Sequence, residues 1–147
     1  MPAIRADRRL QTGQALAELA LVAPALLFMA FGVLAVGRIA QAQMAVSAVA
    51  DEAALTAAMA STANGAVAAG LERGQQVANG YGLDASSLQL TVDVGAFGRG
   101  GQVRVSARSI VRLQDLPLLG WAWISVASTH VAPVDTYRSA WSAGGAP

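Results

Sequence analysis

The sequence has no cysteine and no lysine, a single histidine, five prolines, and only 5% aromatic and 13% charged residues among its 147. Without cysteine there is no disulfide framework, no thiolate metal site and no thiol nucleophile. The lone histidine, His130, leaves no room for a His-rich site, and no Gly-x-Ser-x-Gly elbow accompanies it. An enzyme is therefore not expected, and neither is a cofactor or a metal. All ten basic residues are arginine, which reads as an effect of genome composition rather than a functional choice. The net charge of +1 argues against nucleic acid as a general partner, because phosphate binding draws on a concentrated basic patch.

What the sequence has instead is one long apolar run. It opens at Gly13-Gln14-Ala15-Leu16-Ala17-Glu18 and stays uncharged from residue 19 to residue 37. The stretch 15–37 measures about 34 Å as a helix at 1.5 Å per residue, enough to cross a bilayer. Arg5, Arg8 and Arg9 precede it and only Arg38 follows directly. By the positive-inside rule the basic leader stays cytoplasmic and everything beyond Arg38 lies outside. Glu18 is the oddity. A charged residue at the bilayer centre costs roughly 2.5–3.5 kcal/mol, so Glu18 either sits shallow, favoured by the helix N-terminus and free to snorkel, or has a partner. A secretory signal peptide is the competing reading, with Ala40-Gln41-Ala42 as its cleavage site. Its apolar core would be too long, and Arg38 intervenes before the cut.

Gly13 followed by Gln14, with Glu18 at the fifth position after the glycine and an unbroken apolar helix, resembles the processing motif of type IV prepilins and pseudopilins. The fuller string from Gly13 to Leu21, with Pro24 in the helix and Gly37-Arg38 at its outer end, resembles the TadE-like family of tight-adherence (Tad, Flp-type) pilus systems, small bitopic pseudopilins. The resemblance implies cleavage after Gly13 by a prepilin peptidase, leaving Gln14 as the first residue. Glu18 would then lie one helical turn from the new Gln14 ammonium, or meet that of a neighbouring subunit in a fibre. Pro24 is the other residue assigned to assembly. The implied partners are the peptidase, other minor pseudopilins, the Flp-type major pilin, the inner-membrane assembly platform and the lipid bilayer. At residues 130–135 the family's arginine and acidic residue are replaced by His130-Val131-Ala132-Pro133-Val134-Asp135. The alternative function is an uncleaved, membrane-tethered extracytoplasmic binding module.

Beyond Arg38 the pattern remains helical. Residues 39–63 contain no Gly or Pro and eleven alanines. Ile39, Ala42, Val46, Val49, Ala53 and Ala60 recur at helical spacing as a narrow seam, with Met44, Ala48, Leu55 and Met59 as a second apolar line. Alanine seams let helices approach closely. The membrane helix is thus expected to continue as a stalk, with Asn64-Gly65 as its stop and Asp51-Glu52 on a solvated face. A second helix is expected over residues 66–78, weakened by Gly70 and Gly74.

The period then switches to two. Leu88, Leu90, Val92 and Val94 form one strand, Val103, Val105 and Ala107 a second, and residues 123–131 a third. Residues 95–101 read as a hairpin turn; as a phosphate cradle they lack the P-loop Lys-Ser/Thr and precede a strand. The apolar segment 116–123, with Trp121 and Trp123, suits either a cover for the core or a surface for membrane or partner. The fold class is therefore α+β and pilin-like: a basic cytoplasmic leader (1–13), a transmembrane helix (14–38), a helical stalk (39–64), a small extracytoplasmic head with a three-stranded antiparallel sheet (65–138) and a disordered tail (139–147). The location expected is the bacterial cytoplasmic membrane, in or at the base of a pilus.

Overall fold

A computed structural model of the chain describes residues 4–98, 100–117 and 119–134. The tail at 139–147 and the end of the expected head, including Asp135, lie outside the described residues. One helix, α1 (Ile4–Ala58), runs for 55 residues and carries both the apolar span and the stalk. Pro24 lies inside it. Proline removes the hydrogen bond to the carbonyl of Ala20, a loss that a membrane helix tolerates where neighbouring groups re-satisfy the backbone.

α1 stops at Ala58, short of the expected Asn64-Gly65. The amide of Met59 reaches back to the carbonyls of Leu55 and Thr56, both at 3.2 Å, and the chain then breaks. Thr62 restarts it. Its backbone is extended (φ −135°, ψ 154°) and its hydroxyl accepts from the amide of Gly65 at 3.1 Å, a side-chain N-cap for α2 (Ala63–Gly80). Asn64 and Gly65 therefore sit in the first turn of a helix. A glycine beside an asparagine reads as a helix stop only when no capping hydroxyl stands just before it. With Thr62 in place the boundary moves upstream, and α2 runs longer than the expected 66–78.

The sheet is as the alternation predicts. β1 (Gln89–Asp93), β2 (Gln102–Arg112) and β3 (Trp123–Pro133) pair antiparallel in the order β1-β2-β3. Val92 stands opposite Val105, and Val105 opposite His130. Val103, Val105 and Ala107 are buried while Arg104 and Arg108 are exposed, so one face meets the helices and the other meets solvent. Residues 95–101 close the β1 to β2 connection. Gly100 takes φ +75° there, and Asp93 Oδ1 holds the Gly95 amide at 3.0 Å.

α1 is the spine of the head. Its outer half packs against α2 on one flank and against β2 and β3 on another. Val46, Val49 and Ala53 of the expected seam are fully buried, with Ile39, Ala42 and Ala60 at its margins. The second apolar line divides from it: Met44, Leu55 and Met59 stay exposed and Ala48 is half-buried. α2 meets α1 through Ala66, Gly70, Gly74 and Ala78, every fourth residue and all buried. A Cβ at Gly70 would stand 3.1 Å from Ala57 Cβ and 3.3 Å from the Ala53 carbonyl oxygen. At Gly74 an added Cβ would collide with the Leu90 side chain of β1, so the two glycines that weaken the helix in isolation are what lets it fit between α1 and β1.

Candidate functional site

The residues expected to carry processing and assembly all fall on α1, near the start of its apolar part. Gln14 and Glu18 are both exposed, and the Gln14 Nε2 amide donates to Glu18 Oε1 at 3.3 Å. The i, i+4 spacing places the two side chains on one face, as the sequence requires. Glu18 thus has a neutral donor in the uncut chain, one that the sequence reading overlooked. Around it Leu16, Leu19, Leu21 and Val22 are exposed, and so are Leu26, Leu27 and Phe28 further along. The segment is apolar all round, and nothing among the described residues covers it. It is the one helix among the described residues long and apolar enough to cross a membrane.

The opposite end of the span is marked by Arg38. From Glu18 to Arg38 is about 30 Å along a helix axis, which matches the thickness of a bilayer's hydrocarbon core. A span ending at Arg38 therefore leaves Glu18 at the other boundary rather than at the centre. Arg38 Nη1 meets Asp115 Oδ2 at 3.2 Å, with both side chains largely solvent-exposed. Next to this pair, Leu113 and Leu116 are buried against Ala35, with Phe31, Leu119 and Ala122 packed around them. The apolar segment after β2 is therefore partly a cover, seated on α1 near the outer end of the span. Its tryptophans face away: Trp121 is 83% exposed and Trp123 67%.

Asp51 and Glu52 are partnered rather than simply solvated. His130 Nε2 lies 3.1 Å from Asp51 Oδ1, and Arg73 Nη2 donates to Glu52 Oε2 at 2.8 Å. Consecutive helical positions point about 100° apart, so one carboxylate reaches β3 and the other α2. Charge signs at positions 51, 52, 73 and 130 are visible in the sequence, but their pairing needs the packing of three elements. Thr129, next to His130, turns to the other sheet face and shares a hydrogen bond with Ser106 at 3.0 Å. Asp84, in the turn after α2, accepts from the Ser86 hydroxyl at 2.8 Å and from the Ser86 amide at 2.9 Å. These two bonds, the hydroxyl's first, hold its carboxyl below the usual aspartate range.

No curated protein and no solved structure matches the chain. Residues 13–55 match the family described as TadE-like protein. The matched stretch begins at the glycine before Gln14, takes in Glu18, Pro24 and Arg38, and ends in the buried part of the stalk. The head's sheet is outside it. Over the α1 segment that carries the span and the inner wall of the head, the chain is thus similar to TadE-like proteins.

Proposed function

We propose that the chain is a minor pseudopilin of a Tad (Flp-type) pilus or related envelope apparatus, cut after Gly13 by a prepilin peptidase and without enzymatic activity of its own. Its leader lies in the cytoplasm and its head outside. The observation that carries this reading is the pairing of Gln14 with Glu18 on one helical face at the threshold of an otherwise uncharged span. Cleavage turns the Gln14 nitrogen into an ammonium group one turn from the Glu18 carboxylate, replacing a neutral donor by a charged one. Charge-assisted hydrogen bonds are roughly twice as strong as neutral ones. In an assembly the same carboxylate is available to a neighbouring subunit's amine.

The bond after Gly13 lies within α1, so a peptidase must open the helix there. Glycine is less favourable in a helix than alanine by about 1 kcal/mol, which makes that opening cheaper. The exposed line Met44, Leu55 and Met59 extends the apolar surface of the span into the stalk. It offers neighbouring subunits, whether minor pseudopilins or the Flp-type major pilin, a face distinct from the one that packs on the head. Contacts with the inner-membrane assembly platform would involve the cytoplasmic end.

N-terminal sequencing of protein purified from its membrane tests this reading. A start at Gln14 is expected; a start at Met1 or Pro2 would mean an uncut tethered module, and a start at Gln43 a secreted form. Glu18→Ala should leave cleavage intact and reduce piliation, and normal piliation in that variant would overturn the charge-pairing mechanism.

A further inference from the structure

We infer that the tip formed by Trp121 and Trp123, with Arg112 beside them, is a second membrane contact, seated on anionic phospholipid headgroups of the bilayer that α1 crosses. The inference requires α1 to span, and it stands apart from cleavage and from the pilus role. Three observations lead to it. First, the tip is at the correct height. Ala122, between the two tryptophans, belongs to the cluster around Ala35 and Phe31, and its amide donates to the Leu119 carbonyl at 2.9 Å. Ala35 and Phe31 lie about 5 and 10 Å along the axis from Arg38, on the span side of it. The loop is therefore docked on the outer margin of the span itself, and its exposed residues stand at the level of the headgroups.

Second, the composition of the tip is that of an interfacial anchor. Two indoles exposed at 83% and 67% are out of place in water, and tryptophan favours the boundary between hydrocarbon and headgroups, where its ring is half buried and its N–H stays wet. A groove of about 310 Å³ opens between them, walled by Ile110 and Ala122 and edged by Arg112. Third, the charge is right. Arg112 stands directly opposite Trp123 in the β2 to β3 register, at the end of the sheet nearest the span. Among the described residues it makes no direct ion pair, its electrostatic partner being the exposed Asp84 carboxylate, whereas Arg38 is already engaged by Asp115. A guanidinium in that place can turn to lipid phosphate, and its aliphatic stem can lie along the indole. The remaining arginines of that face, Arg104 and Arg108, point to solvent farther from the bilayer.

The test uses the full chain with Trp141→Phe, reconstituted in vesicles of phosphatidylcholine with or without phosphatidylglycerol. Flotation of the vesicles first establishes insertion, independently of the tip. Tryptophan emission should be quenched more by lipids brominated near the headgroup than by lipids brominated deep in the chains, and should be shielded from aqueous acrylamide. Trp121→Ser and Trp123→Ser should each remove part of the lipid quenching while flotation is unchanged. Arg112→Gln should lower the docked-to-free ratio about fivefold in vesicles containing phosphatidylglycerol, the equivalent of ~1 kcal/mol per basic residue at an anionic surface, and leave it unchanged in pure phosphatidylcholine. Free access of acrylamide to both indoles in inserted protein would overturn the inference. So would shielding that appears only as protein density in the vesicles rises, which would assign the tip to a second copy of the chain.

Discussion

At the scale of single residues, position on a helix decides more than residue type. Gln14 and Glu18 illustrate the favourable case: the four-residue spacing alone places them together, and the structure brings their side chains to 3.3 Å. Asp51 and Glu52 illustrate the other. Nothing local says which elements flank a helix, so the sequence assigns both to solvent, and only the packed head supplies His130 and Arg73. Such half-exposed pairs contribute little, typically 0–1 kcal/mol. Asp84 is more informative about pH. Its carboxyl is held low by the Ser86 hydroxyl and amide, so the stabilisation it gives is fully present above the unfolded aspartate value of about 3.9 and is lost as pH falls through its lower folded value. A carboxyl-carbon NMR titration should place Asp84 below that reference. Ser86→Ala should move it upward but not fully back, because the amide donor remains.

At the scale of elements, what the sequence conveys is periodicity, and what it withholds is tertiary contact. Alternation over Leu90 and Val92, and over Val103, Val105 and Ala107, gives the strands and their inward face directly, since a pleated strand has no other way to sort apolar from polar side chains. The end of α1 is less legible. Gly65 reads equally as a stop or as a first-turn residue, and a single hydroxyl, that of Thr62, settles the matter. Gly70 and Gly74 are misleading for the opposite reason: their cost is local and visible, while their benefit lies in other elements, in Ala53 and Ala57 of α1 and Val92 of β1 for Gly70 and in Leu90 of β1 for Gly74. Replacing Gly70 by Val should therefore destabilise the head by about 1–3 kcal/mol, as overpacking does, despite any gain in helix propensity. Thermal unfolding of the detergent-solubilised chain, followed by circular dichroism, should show the loss.

At the scale of the whole molecule, the chain is a single rod with a head mounted on its outer part, and cleavage would alter its charge more than its shape. Removing residues 1–13 takes away Arg5, Arg8 and Arg9 with Asp7, so the net charge falls from +1 to −1. The processed form should focus at a lower pH than the full chain, and the two should separate as distinct bands before any sequencing. In the orientation proposed above, the rod without its basic leader has less to hold it at the cytoplasmic boundary. The docking of Leu113 and Leu116 on Ala35 then acquires a mechanical meaning. The head is a flange on a shaft: it fixes how deep the shaft can sink, since further inward travel would drag the Arg38 and Asp115 pair into hydrocarbon. Travel outward must carry Glu18 through hydrocarbon, a charge that the Gln14 ammonium of a processed chain would offset. It lifts a bare sleeve of leucines, from Leu16 to Leu27, into water unless another surface wraps it. A part built in this way resists being pushed in and leaves the bilayer only in company.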